Sequence, residues 1–108
     1  MAKGAGTVIF KGETVNGATE KLNCPGYNAV IIKHTMTGQT TGGFVSAAMA
    51  EKPDGVFVAH HGEGTNISAS AQAANYTAII KGIMDHLEFT LNATDGTHTV
   101  VVQPVNIY

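Results

Sequence analysis

Tryptophan is missing from this chain, cysteine occurs once, proline three times, and charged side chains make up only 13% of its 108 residues. Each shortage removes a class of protein. A single cysteine, Cys24, permits no intrachain disulfide, so the fold has to be held by its core, as in proteins that fold in a reducing cytoplasm. Six basic residues against eight acidic ones, with no basic run, lack the positive footprint that a phosphate backbone demands. No nucleic-acid partner is expected. No stretch reaches the roughly 20 apolar residues of a spanning helix, and Met1-Ala2-Lys3-Gly4-Ala5-Gly6 has no signal-peptide core, so no membrane partner is expected either. Without tryptophan a sugar-stacking cleft loses its strongest platform.

What is present is thirteen glycines and abundant threonine, a composition of strands and turns rather than of a helical bundle. The clearest stretch runs from Asp85 to Gln103. Leu87, Phe89 and Leu91 alternate with His86, Glu88, Thr90 and Asn92, so successive side chains point to opposite faces of a half-buried strand. Asn92-Ala93-Thr94-Asp95-Gly96 then provides a reversal, and Thr97 to Val102 is β-branched, which predicts a second strand and an antiparallel hairpin.

Earlier in the chain, Thr7 to Phe10 reads as a strand, Asn16-Gly17 as a turn, and Glu20 to Asn23 as a short strand ended by Cys24-Pro25-Gly26. Tyr27 to Met36 is the most apolar strand, with Val30, Ile32 and Met36 on one face and Ala29 and Ile31 on the other, so it should be central in a sheet. Phe44 to His60, turning at Pro53-Asp54-Gly55, predicts a second hairpin; the rival reading is a helix over Val45 to Lys52, which Pro53 would cut to barely two turns. Ile67 to Gln72 is a weak strand, Tyr76 to Lys81 a firmer one, and Gly82 a bulge. The expectation is an all-β fold: a single antiparallel β-sandwich or jelly roll of about seven to nine short strands over residues 7–108, preceded by a flexible N-terminal arm over residues 1–6.

Chemistry-bearing residues do not fall into a catalytic pattern. His60-His61 beside Glu63 is the nearest approach to a metal or general-base site, but neighbouring strand residues point to opposite faces and no HxH or HExxH spacing occurs. None of His34, His60, His61, His86 and His98 is expected to build a three-ligand metal centre. Asp85, Glu88 and Asp95 read as solvated carboxylates. Ser46, Ser68 and Ser70 have no nucleophile-elbow glycines, and Cys24 has no partner that would activate it. Gly4-Ala5-Gly6 has neither the preceding strand nor the following helix of a dinucleotide fingerprint. Tyr27, Tyr76 and Tyr108 read as core packing at strand ends. No catalytic residue, no cofactor and no metal ligand is therefore assigned, and an enzyme is not expected.

Three stretches carry a resemblance: Gly6-Thr7-Val8-Ile9-Phe10 with Asn16-Gly17-Ala18-Thr19-Glu20; Phe44 to Ala59 around Asp54-Gly55; and Tyr76 to Ile80 through His86-Leu87-Glu88-Phe89-Thr90-Leu91 to Gly96-Thr97-His98-Thr99-Val100-Val101-Val102. In style of strand and turn they resemble the small β-sandwich accessory proteins of tailed-phage virions. Members of that group commonly have tryptophan on the strand after the Asp-Gly turn, where this chain has Phe57. The resemblance implies a non-enzymatic decoration or cement protein on the outside of the capsid, made in the host cytoplasm. Its partners would be the major capsid protein and further copies of itself, as a homo-oligomer such as a dimer or trimer. The alternative function is an adhesin or carbohydrate-binding module on a fibre or tail. A small jelly-roll metal enzyme stands third.

Overall fold

The computed structural model describes residues 2–50, 58–59 and 74–107, and these form two antiparallel sheets packed face to face with no helix among them. The strands are β1 (Ala2–Lys3), β2 (Thr7–Glu13), β3 (Thr19–Asn23), β4 (Ala29–Thr37), β5 (Gly43–Ala50), β6 (Val58–Ala59), β7 (Tyr76–Lys81), β8 (His86–Ala93) and β9 (Thr97–Asn106). One sheet has the order β1-β9-β4-β7, with β2 also pairing β9; the other has the order β3-β8-β5-β6. The chain is a β-sandwich, as its alternating patterns and turn spacing predict.

Period-2 alternation decides which side chains fill the space between the sheets. On β4, Val30, Ile32 and Met36 are buried; on β8, Leu87, Phe89 and Leu91; on β9, Val100 and Val102; and Phe10 and Val45 join them from β2 and β5. As expected, β4 is central, flanked by β9 along its whole length and by β7. The stretch Val45 to Ala50 is strand and not helix, and β5 pairs antiparallel with β6 through Ala48↔Ala59 and Met49↔Val58. The turn at Pro53-Asp54-Gly55 and the weak strand Ile67 to Gln72 lie outside the described residues.

Three expectations are corrected. β8 and β9 are both present, with the reversal between them, but they are not a hairpin: β8 lies between β3 and β5, and β9 lies between β1 with β2 and β4. The Asn92 to Gly96 reversal carries the chain from one sheet to the other. Its backbone is turned to the β4–β5 loop, where Thr94 and Asp95 N–H donate to the Gly42 carbonyl. Gly82 is not a bulge but a left-handed residue (φ +70°) in the β7–β8 turn, its N–H donating to Asn28 O; the register shifts occur in β2 instead, around Phe10. The segment expected as a flexible arm lies along the sheet: β1 pairs with Val105 and Asn106 at the end of β9, and Gly4 N–H donates to Pro104 O.

Gly43 marks a close approach at the start of β5. A Cβ there would press on the Asn92 carbonyl oxygen and sit 3.1 Å from both Ala93 Cα and His98 Cε1. Backbone of β8 and a buried ring cannot both move aside, so Gly43→Ala should cost about 1–3 kcal/mol by overpacking. Urea unfolding of the variant measures this; an unchanged midpoint would mean that the two strands separate freely at this point.

Candidate functional site

The buried polar side chains among the described residues are His34 and His98, both 0% exposed. Sequence parity explains their place. His34 falls on the same face of β4 as Val30, Ile32 and Met36, and His98 on the same face of β9 as Val100 and Val102. Each therefore turns into the sandwich. In register His34 faces Val100 and His98 faces Met36, so the two rings meet diagonally across the β4–β9 pair, while Tyr76 of β7 stands directly opposite His34.

The side chains form one continuous hydrogen-bonded row. Val45 N–H donates to Tyr76 Oη at 3.1 Å; Tyr76 Oη lies 3.0 Å from His34 Nδ1; His34 Nε2 lies 2.8 Å from His98 Nδ1; and His98 Nε2 lies 2.8 Å from the Asp95 carbonyl oxygen. The His34 ring is edge-on to Tyr76 and tilted to His98, with centroids 5.0 Å apart in each case. Chemistry assigns the protons. The Asp95 carbonyl can only accept, so His98 carries hydrogen on Nε2; in the uncharged pair His98 Nδ1 then accepts from His34 Nε2–H, and His34 Nδ1 accepts from the Tyr76 hydroxyl. Every link runs in one direction, from the β5 backbone to the β8–β9 turn.

Asp95 extends the row into the β4–β5 loop. Its carboxylate accepts from Thr40 N–H (3.1 Å), Thr41 N–H (3.1 Å) and Gly42 N–H (2.6 Å). Those bonds, led by Gly42 and Thr41, hold its carboxyl below the usual range. Burial, followed by the neighbouring His98, pushes the His34 imidazole down to about 4, and burial pushes the Tyr76 phenol up although the Val45 bond opposes it. A depression of about 380 Å³ opens at the Tyr76 end, lined by Lys33, His34, Thr35, Asn75, Tyr76 and Thr77. Asn75 is engaged there, its Oδ1 accepting from Met36 N–H at 2.7 Å.

The other candidates are scattered. His86 is on the opposite sheet, its Nδ1 2.7 Å from Asn23 Oδ1. Glu88 stands beside Lys21 and Ala48 in register, Ser46 accepts from Asn92 Nδ2 at 3.2 Å, and Tyr27 packs against the core. Gly4 to Gly6 link two strands, and no helix follows. His60, His61, Glu63, Ser68, Ser70 and Tyr108 lie outside the described residues. Among the described residues no three His, Cys, Asp or Glu side chains gather as a metal site. The structure makes Tyr76, His34, His98 and Asp95 one unit; the signal available in the sequence was that His34 and His98 share the parity of their strands' apolar residues.

Cys24 is buried, its thiol pushed up to about 11 by burial and, less, by Asp85. A rise from the ordinary value of 9.0 to about 11 leaves about 100-fold less thiolate at pH 8. Reaction with a disulfide reagent should therefore be about 10-fold or more slower in the folded protein than in urea, the greater nucleophilicity of a high-pKa thiolate offsetting part of the loss; equal rates would mean that the thiol is open to solvent.

Comparison with protein-family models, with curated proteins and with solved structures returned no match.

Proposed function

We propose that this chain is a non-enzymatic structural protein of a tailed-phage virion, a decoration protein that binds the outside of the capsid and stabilises it. The observation that supports this reading is how the interior polar side chains are used. Tyr76, His34, His98 and Asp95, the residues best suited to acid–base work, spend their hydrogen bonds on one another, on Val45 and on the 40–42 backbone. They join the two sheets at one end of the sandwich and so give rigidity. That is the property a cement protein needs. The β-sandwich also agrees with the architecture that the phage resemblance implies, and a lattice of symmetric sites would be met by a symmetric oligomer of the chain.

The reading is tested on particles assembled with and without the chain. Purified particles should contain it at a fixed ratio to the major capsid protein, and adding the pure protein to particles that lack it should raise the temperature at which they release their genome. Absence from washed particles would end the proposal. Glycan binding by the isolated protein together with a location on fibre or tail would replace it with an adhesin.

A further inference from the structure

Charge is divided unevenly between the two sheets, although the chain as a whole carries a net charge of -2. The strands β1, β2, β4, β7 and β9 contain four lysines, Lys3, Lys11, Lys33 and Lys81, and one carboxylate, Glu13. Glu13 faces His98 in register, and its Oε2 accepts from Thr14 and Val15 N–H at the end of β2. No carboxylate of these strands therefore stands on the outward side of their sheet. Register lays that side out in rows: Lys33, Val101 and Val8 across β4, β9 and β2, then Ile79 and Ile31 across β7 and β4, then Lys81. These residues alternate with the buried Val30, Ile32, Ile80, Val100 and Val102, so they point away from the core. Lys33, Lys81 and Val8 are exposed, Val8 to 52%, while Ile31, Ile79 and Val101 are half-buried. At roughly 3.3 Å per residue the two lysines stand about 13 Å apart along the strands, with the two isoleucines between them. Lys11, exposed after the buried Phe10, adds a third positive charge on β2.

The outward side of the other sheet is built differently. There Lys21 stands opposite Glu88, so the charges cancel locally, and the next row is Thr19, Thr90 and Ser46, which suits water. From this contrast we infer that the outward face of β2, β9, β4 and β7 is the docking surface of the chain, and that its occupant is a protein surface with carboxylates around an apolar patch. The inference rests on the virion reading and adds to it which side of the sandwich meets the capsid. Charge complementarity decides among occupants. A second copy presenting the same face would set lysine against lysine, which opposes association. The chain has no arginine, whose planar fork matches phosphate, and three lysines spread around aliphatic side chains are too few for a phosphate backbone. A carboxylate-ringed apolar patch answers both parts of the face: the charges orient the encounter, and the aliphatic centre gives up its water on contact.

The test adds the pure protein to particles that lack it and measures the bound fraction by sedimentation over a range of concentrations. Lys33→Glu and Val8→Asp each place a negative charge on the face, and each should weaken binding by about 10-fold or more. Lys21→Glu makes the same change of net charge as Lys33→Glu on the other sheet, and should stay within about 3-fold of the native chain. All three positions are exposed, and the urea midpoint of each variant checks that the fold is kept. Native binding should also weaken as sodium chloride is raised. Failure of the native chain to bind particles would end the virion reading and this inference with it, and capture by phosphatidylglycerol vesicles in place of particles would put a membrane on the face instead. Native binding in which Lys33→Glu or Val8→Asp behaves like the native chain, or in which Lys21→Glu weakens as much as they do, would overturn the face and leave the virion reading standing.

Discussion

Phe89→Ala should destabilise the folded chain by about 3–5 kcal/mol, the largest loss expected from any single truncation of the core. Phe89 is 0% exposed and lies mid-strand on β8. Its neighbours on its own sheet cannot refill the space: Ala47 on one side is small, and Glu20 on the other is an exposed residue of the edge strand β3. The opposing sheet presents Val, Ile and Phe side chains already committed to the same cluster. Against a total stability of about 5–15 kcal/mol for a domain, such a loss removes a large fraction. In urea the midpoint should fall by more than about 1 M, while Val8→Ala, at an exposed position, should shift stability by less than about 0.5 kcal/mol. A Phe89→Ala loss below about 1 kcal/mol would place the core elsewhere.

Acid should weaken the fold through His34. In the unfolded chain His34 protonates near 6.5; in the folded chain burial and His98 lower this to about 4. Between those values the unfolded state binds more protons than the folded state, so stability rises with pH and falls as pH drops from 6.5 to 4. Above 6.5 the imidazole is neutral in both states and contributes no slope. The loss across the window is roughly 3 kcal/mol at most, since each tenfold difference in proton affinity between the two states is worth about 1.4 kcal/mol. Asp95 acts lower down: its carboxyl is held below the ordinary value of 3.8 by the 40–42 backbone, so its contribution is present above 3.8 and fades as pH falls beneath it. The two effects are separable. Urea unfolding at pH 7 and at pH 4.5 should show the His34 loss in the native chain, and His34→Gln should flatten that slope whatever its own stability. A native chain equally stable at both pH values would mean that His34 takes its proton in the folded state as readily as when unfolded.

Alternation along the backbone was enough to locate β4 and β8, and to predict burial of Leu87, Phe89 and Leu91 and of Val30, Ile32 and Met36, because side chains on a pleated strand must alternate between core and solvent. Asn-Gly, Pro-Gly and Asp-Gly located reversals for the same local reason. What local signals do not contain is the partner of each strand. The stretch after β8 reads as a hairpin turn, yet β8 already has neighbours on both edges, so the chain passes across the sandwich and β9 joins the other sheet. The relay is decided at the same level. Residues 34, 76, 95 and 98 carry the right groups, and strand parity alone turns His34 and His98 inward, but only the pairing of β4 with both β9 and β7 brings their polar atoms to 2.8–3.0 Å of one another. A buried imidazole needs a partner at each nitrogen; strands far apart in sequence supply three of the four, and the Asp95 carbonyl, three residues before His98, supplies the last.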